Sequence, residues 1–85
     1  MLNRRDNISK VLIVDDEIKL LETLAELMKI GGFEVVTASD GIEALAVLEA
    51  SNGDIDVIVL DRNMPNMDGF ELLKIMKGKP AFKHI

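Results

Sequence analysis

Apolar residues fall into two alternating rhythms along this chain. Val11-Leu12-Ile13-Val14 and Val57-Ile58-Val59-Leu60 are unbroken aliphatic runs, the pattern of strands buried on both faces of a parallel sheet. Between them Ile18, Leu21, Ala25 and Met28 recur at helical spacing, and Leu20, Leu24 and Leu27 widen the apolar face. Gly31-Gly32 stops that helix with residues that tolerate a left-handed cap. Phe33 to Ala38 predicts a short strand holding Val35, Val36 and Thr37. Asp40 and Glu43 have capping-box spacing and open a second helix, with Ile42, Leu45 and Leu48 as its inward stripe. Ser51-Asn52-Gly53-Asp54 is a loop by composition, and Asp56 to Asp61 is the third strand. Asp68 and Glu71 repeat the capping spacing. They open a third helix with Phe70, Leu73 and Met76 as its stripe and Leu72 beside it, ended by Gly78, Lys79 and Pro80. Ala81 to Ile85 reads as the approach to a further strand.

The predicted order is β-α-β-α-β-α. Such alternation builds a parallel sheet with right-handed crossovers, an α/β fold. If the first and third strands are neighbours, the strand order is 2-1-3 and the switch point falls between them. Both aliphatic runs end in acids, Asp15-Asp16-Glu17 and Asp61. Asp15, Asp16 and Asp61 then converge on one crevice at the carboxyl rim, where open α/β sheets place their chemistry.

Composition narrows the reading. The chain has 85 residues, 48% hydrophobic, with net charge -5 and no cysteine. That fits one small domain with no disulfide or thiolate metal site. The acidic balance argues against gripping nucleic acid. No apolar stretch approaches the roughly 20 residues of a membrane span. The polar start lacks the core of a secretory signal, so a cytoplasmic address is expected. His84, the single histidine, reads as solvated. The five methionines read as packing. Lys74, Lys77, Lys79 and Lys83 read as a solvated helix end.

Three neighbouring carboxylates repel one another, and such a cluster attracts a hard cation. Mg²⁺ suits it, because that ion takes oxygen ligands and keeps several waters. A carboxylate crevice with Mg²⁺ can hold a phosphoryl group, and an aspartate can itself become an aspartyl phosphate. Asp61 stands alone at its strand end and is the natural nucleophile; Asp15 and Asp16 are better placed as metal ligands. Taken alone, Asp15-Asp16-Glu17 reads equally as acids at a helix N-terminus. Other readings lack a part. Asp61-x-Asn63 is not the Asp-x-Asp of haloacid-type phosphatases. The Asp61 to Gly69 stretch has Asn66 where a calcium loop needs glycine. No glycine-rich phosphate loop is present.

The two segments together resemble the receiver domain of two-component response regulators. Val11 to Glu17 is similar to that family's first strand and acidic pair. Asp56 to Gly69 is similar to its phosphoacceptor segment, including Met64-Pro65 and Asp68-Gly69. The likeness extends from about Lys10 to Ile85, with residues 1–9 as an N-terminal extension. It implies a flavodoxin-like receiver fold and an Asp61 that accepts a phosphoryl group from a sensor histidine kinase or phosphotransfer protein. It implies Mg²⁺ held by Asp16, Asp61 and the backbone carbonyl of Asn63, with Asp15 acting through water. Met64 and Pro65 shape the loop, and Gly69 allows close backbone approach. The chain is then a phosphoacceptor signalling domain rather than an enzyme.

The departures are as informative. These residues correspond to three βα units, and the resemblance implies about five. The family's strand-4 hydroxyl and strand-5 lysine have no counterpart. Lys10 lies at the opposite end of its strand, and Ser39 stands beyond the first strand from Asp61. Val57 to Leu60 would form an open edge, a template for pairing with another chain. Self-association through that edge is expected, and a non-switching interaction module is the alternative function.

Overall fold

The computed structural model describes residues 9–61 and 67–85. Its elements run β1 (Lys10–Val14), α1 (Ile18–Ile30), β2 (Glu34–Ala38), α2 (Gly41–Ser51), β3 (Val57–Leu60) and α3 (Gly69–Lys77), followed by a 3₁₀ turn at Pro80–Phe82. The strands form one parallel sheet in the order β2-β1-β3. Leu12 pairs with Val36 on one side and Ile58 on the other. The α/β architecture, element order and 2-1-3 strand order agree with the sequence reading.

The central strand explains its own composition. Val11, Leu12, Ile13 and Val14 are all buried, because successive residues of a strand point to opposite faces and here both faces are covered. Val11 and Ile13 pack with Leu21 and Ala25 of α1. Leu12 and Val14 pack on the other face with Ala38, Ala44, Leu48, Ile55, Leu72, Met76 and Phe82. In β3 the asymmetry shows. Ile58 and Leu60 are half-buried on the α2–α3 face. Val57 and Val59, level with Val11 and Ile13, remain 46% and 39% exposed on the other.

Several details differ from the periodicity reading. In α2 the buried positions are Gly41, Ala44 and Leu48, while Ile42 is 55% exposed. In α3 they are Gly69, Leu72 and Met76, while Phe70 is 57% exposed and Leu73 also faces out. Both helices begin Asp-Gly-x-Glu, and both enter the core through the glycine. This turns the inward face by one residue from the stripe of largest side chains. In α1, Leu21 and Ala25 are buried and Met28 packs beside them, but Ile18, Leu20 and Leu27 are exposed. Phe33 lies outside β2, exposed, and β3 is one residue shorter at each end than expected. Its start is set by Asp56, whose N–H donates to the Lys10 carbonyl at 2.9 Å while its carboxylate accepts from the Lys10 N–H at 2.8 Å.

The C-terminal segment is no extended approach to a strand. Pro80 starts a 3₁₀ turn that buries Phe82 in the α2–α3 core. Lys79 pairs with Glu49 at 3.2 Å. His84 is exposed but bonded, its Nε2 lying 2.7 Å from the Gly53 carbonyl oxygen.

The helix ends obey capping chemistry. Gly32, at φ 96°, closes α1: Phe33 N–H donates to Met28 O and Gly32 N–H to Lys29 O, the paired bonds of a left-handed C-terminal cap. Asn52 (φ 54°) and Gly53 (φ 81°) close α2 similarly. The two glycines differ in their surroundings. A Cβ on Gly32 meets nothing within 4 Å, whereas one on Gly53 would lie 2.6 Å from the Ala81 carbonyl oxygen. Gly32→Ala is therefore expected to cost about 1 kcal/mol from backbone conformation alone. Gly53→Ala adds displacement of the C-terminal segment, and its cost should approach about 3 kcal/mol. Urea denaturation of the two variants measures the difference; equal losses would show that the 79–85 segment contributes nothing.

Candidate carboxylate site at the sheet rim

The site grows from the carboxyl ends of β1 and β3. The sheet ladder continues past both strands: Asp15 N–H donates to Ala38 O at 3.1 Å, and Asp61 N–H donates to Val14 O at 3.0 Å. These two bonds fix the backbones of both acids against neighbouring strands. The Asp15 carboxylate also accepts from Glu17 N–H at 2.9 Å, a local turn that orients it. Asp16 is exposed, and Asp15 and Asp61 are half-buried. One carboxylate oxygen from each of Asp15, Asp16 and Asp61 can be chosen so that all lie within 4.8 Å of one another. Among the described residues neither Asp15 nor Asp16 is ion-paired.

The donor set is all oxygen and anionic, which matches a hard divalent cation such as Mg²⁺ and no soft metal. The reading of the acids as simple helix caps loses support. Glu17 holds the N-cap position of α1 without a side-chain cap bond, and Asp15 turns to Glu17 rather than into the helix.

The other acids do cap. Asp68 accepts from Glu71 N–H at 2.9 Å, and Glu71 returns to Asp68 N–H, completing a capping box on α3. Asp40 accepts from Glu43 N–H at 2.8 Å. The Glu43 carboxylate, however, reaches one residue further back, to the N–H and Oγ of Ser39 at 3.0 and 3.3 Å. Ser39 thus stands at the end of β2, occupied by α2. Lys10 is at the far end of β1, 3.8 Å from Asp54. Gly69 is buried at the first position of α3. Asn63, Met64 and Pro65 lie outside the described residues.

One feature of the rim is invisible to motif reading. Gly41 faces Met67, the first described residue after Asp61, so closely that a Cβ there would lie 2.4 Å from the Met67 carbonyl oxygen. The signal available in sequence was the repeated Asp-Gly helix start. Glycine is a poor helix former, and at Gly41 its use at the first helical position goes with a close approach.

A parallel sheet in the order 2-1-3 with three carboxylates at its switch point defines the flavodoxin-like class of α/β fold. Comparison with known proteins then assigns the family. The sequence profile of the response regulator receiver domain matches residues 11–85, and the chain belongs to that family. It is 54% identical over 74 residues to protein-glutamate methylesterase/protein-glutamine glutaminase 3 of Rhodospirillum rubrum, covering 85% of this chain and 20% of that protein. It is 41% identical over 69 residues to the transcriptional regulatory protein CpxR of Escherichia coli, covering 81% of this chain and 28% of that protein. Among solved structures, chemotaxis response regulator CheY4 of Vibrio cholerae superposes with a TM-score of 0.84 at 40% identity, covering 91% of this chain and 62% of that one. TrrA of Thermotoga maritima, solved with Mg²⁺ and BeF, gives a TM-score of 0.78 at 34% identity over 86% of this chain and 62% of that one. The chain therefore spans a fifth to under a third of these curated relatives, and about three fifths of these solved receivers.

Proposed function

We propose that this chain is a phosphoacceptor, with Asp61 receiving a phosphoryl group from the phosphohistidine of a sensor histidine kinase or phosphotransfer protein. The observation that carries this is the convergence of Asp15, Asp16 and Asp61 within 4.8 Å at the sheet rim. In the step, an Asp61 carboxylate oxygen forms a bond to phosphorus. The phosphorus–nitrogen bond to the donor imidazole breaks, and its electron pair stays on the nitrogen. Asp16, Asp61 and the backbone carbonyl of Asn63 would hold Mg²⁺, with Asp15 acting through water; when bound, the ion neutralises charge on the transferring group. TrrA's capture with Mg²⁺ and BeF supports the same chemistry here. The bond from Asp61 N–H to Val14 O holds the backbone that carries the nucleophile. Met64 and Pro65 would shape the adjoining loop, and Gly69 would let α3 begin close to it. The work is signalling, by one self-catalysed transfer, at a cytoplasmic address. Among the described residues no helix is long and apolar enough to cross a membrane.

The test is intact-mass spectrometry after incubation with acetyl phosphate, with and without Mg²⁺. A gain of one phosphoryl that requires Mg²⁺ is expected. A folded protein that gains nothing would sink the reading.

A second reading rests on a separate observation. Val57 and Val59 are 46% and 39% exposed on a strand that, among the described residues, is bonded to β1 alone. A second copy of this chain would cover them and pair the open β3 edge, making the chain an interaction module. Sedimentation equilibrium should show concentration-dependent association, and Val59→Lys should shift it about tenfold or more toward monomer, since a buried, unpaired charge is strongly unfavourable. Asp61→Asn should leave it unchanged. A wild-type monomer at every concentration removes this reading.

A further inference from the structure

We infer that Asn52-Gly53 is a modification site: Asn52 deamidates through a cyclic imide, the docked segment 79–85 guards the reaction, and the isoaspartate product releases that segment. This is the one Asn-Gly pair in the sequence. The chemistry needs only water and solvent base. The Gly53 backbone nitrogen loses its proton and attacks the Asn52 side-chain carbon Cγ. The new N–Cγ bond closes a five-membered ring, the Cγ–Nδ2 bond breaks, and the leaving nitrogen takes up a proton and departs as ammonia. Water then opens the ring at either carbonyl. One opening leaves aspartate, the other isoaspartate, with the main chain rerouted through Cβ and Cγ. Glycine at the attacking position has no Cβ to crowd the ring. The other asparagines, Asn3, Asn7, Asn63 and Asn66, precede Arg4, Ile8, Met64 and Met67, whose side chains hinder closure.

The fold supplies both access and a guard. Asn52 is exposed, at φ 54° and ψ 40°, as the residue that closes α2. The proton that ring closure must remove is donated from Gly53 N to Leu48 O at 3.5 Å, longer than an ordinary hydrogen bond and a weak hold. The hold on the other side of the glycine is firmer. His84 Nε2–H donates to Gly53 O at 2.7 Å, and the Ala81 carbonyl oxygen sits where a Cβ on Gly53 would meet it at 2.6 Å. Burial of Phe82 and the Lys79–Glu49 pair anchor the segment in this position. Turning the 52–53 peptide to bring its nitrogen onto Cγ swings Gly53, so the segment has to lift first. Reaction then proceeds from a locally opened chain, at a rate set by the open fraction. The product does not rebuild the contact. Isoaspartate puts an extra carbon into the main chain just before Gly53 and carries its carbonyl away from His84. It also places a new negative charge at the C-terminal end of α2, where the helix dipole disfavours an anion.

The experiment follows deamidation of the full chain by peptide mapping and mass spectrometry in mildly alkaline buffer, native and in unfolding urea. In urea Asn52 should convert fastest of the five asparagines. The native chain should convert at Asn52 too, more slowly. His84→Ala should speed native conversion about two- to tenfold, the worth of one hydrogen bond. His84→Gln, which keeps an N–H donor, should restore part of the protection. Circular dichroism establishes that each variant is folded. A wild-type native rate equal to the urea rate, or a folded His84→Ala chain at the wild-type rate, overturns the guard. A native chain still intact at Asn52 long after the urea sample has fully converted overturns the site. Should His84→Ala not fold, the wild type decides alone. In urea too dilute to unfold it, hydrogen exchange at the Gly53 amide and conversion at Asn52 should rise together, and unchanged conversion overturns the inference. The isoaspartate form, separated by chromatography, should have the His84 ring signals of a released segment by NMR; ring signals unmoved from the native chain show that the segment stays docked and overturn the release.

Discussion

Asp61→Asn should abolish phosphoryl gain from acetyl phosphate while leaving the fold intact. Asparagine has the same shape, and the Asp61 N–H bond to Val14 O is a backbone bond that survives. What disappears is the anionic oxygen proposed to attack phosphorus. Loss of a nucleophile in covalent catalysis lowers rate by a thousandfold or more, roughly, so the intact mass should show no addition on the time scale of wild-type saturation. The variant also carries a distinctive stability signature. Two unit charges at about 5 Å repel by about 1 kcal/mol in water-like surroundings, and Asp61 is one of three acids within 4.8 Å. Without Mg²⁺, Asp61→Asn should melt at or above the wild-type temperature. With Mg²⁺ the wild type gains stability by mass action, and the variant gains less. Continued Mg²⁺-dependent phosphorylation of the variant would place the acceptor elsewhere. A variant that melts well below wild type without metal would show that Asp61 is a structural group.

The second large effect is on the fold. Leu12→Ala should remove a large share of the folding stability. Leu12 is fully buried at the middle of the central strand, paired to both β2 and β3 and packed into the α2–α3 core. Truncating such a leucine costs about 2–5 kcal/mol, the range depending on how far the cavity collapses. At about 0.05–0.15 kcal/mol per residue, a domain of this size has roughly 4–13 kcal/mol in all. Relaxation around Leu12 is restricted because its backbone is tied on both sides. Val57→Ala, on the exposed outer edge of β3, should cost less than about 1 kcal/mol. Urea denaturation followed by circular dichroism separates the two. A loss below about 1 kcal/mol for Leu12→Ala would mean that the central strand is not the centre of the core.

What could be read before the structure depended on whether a signal was local. The aliphatic runs Val11–Val14 and Val57–Leu60 identify strands, because only a strand covered on both faces is apolar at every position. The helices announce themselves by their caps: Asp40 and Asp68 accept from the N–H groups three residues on, as their spacing from Glu43 and Glu71 requires. The acids at the rim were equally legible, since a residue that directly follows a strand stands at the sheet's edge wherever the helices pack. Asn63, Met64 and Pro65 are known here from motif alone.

Helix orientation was not local information. Periodicity favoured Ile42 and Phe70 as inward residues because they are large and apolar, yet the structure buries Gly41 and Gly69 instead. A hydrophobic residue loses little by facing water beside others, whereas two backbones can meet only where a side chain is missing. The same holds for the C-terminal segment. Its apolar residues suggested a strand, but Phe82 finds a place in the existing core, and Lys79 and His84 fasten it to Glu49 and Gly53. The sequence by itself determined the kind and order of the elements and the identity of the rim carboxylates, because strand burial, capping and strand-end position are properties of neighbours along the chain. Only the tertiary structure decided which helix faces point inward, how the last residues dock, and that Gly41 lies close against Met67. Those depend on contacts between segments far apart in sequence, where the room available for a side chain outweighs its hydrophobicity.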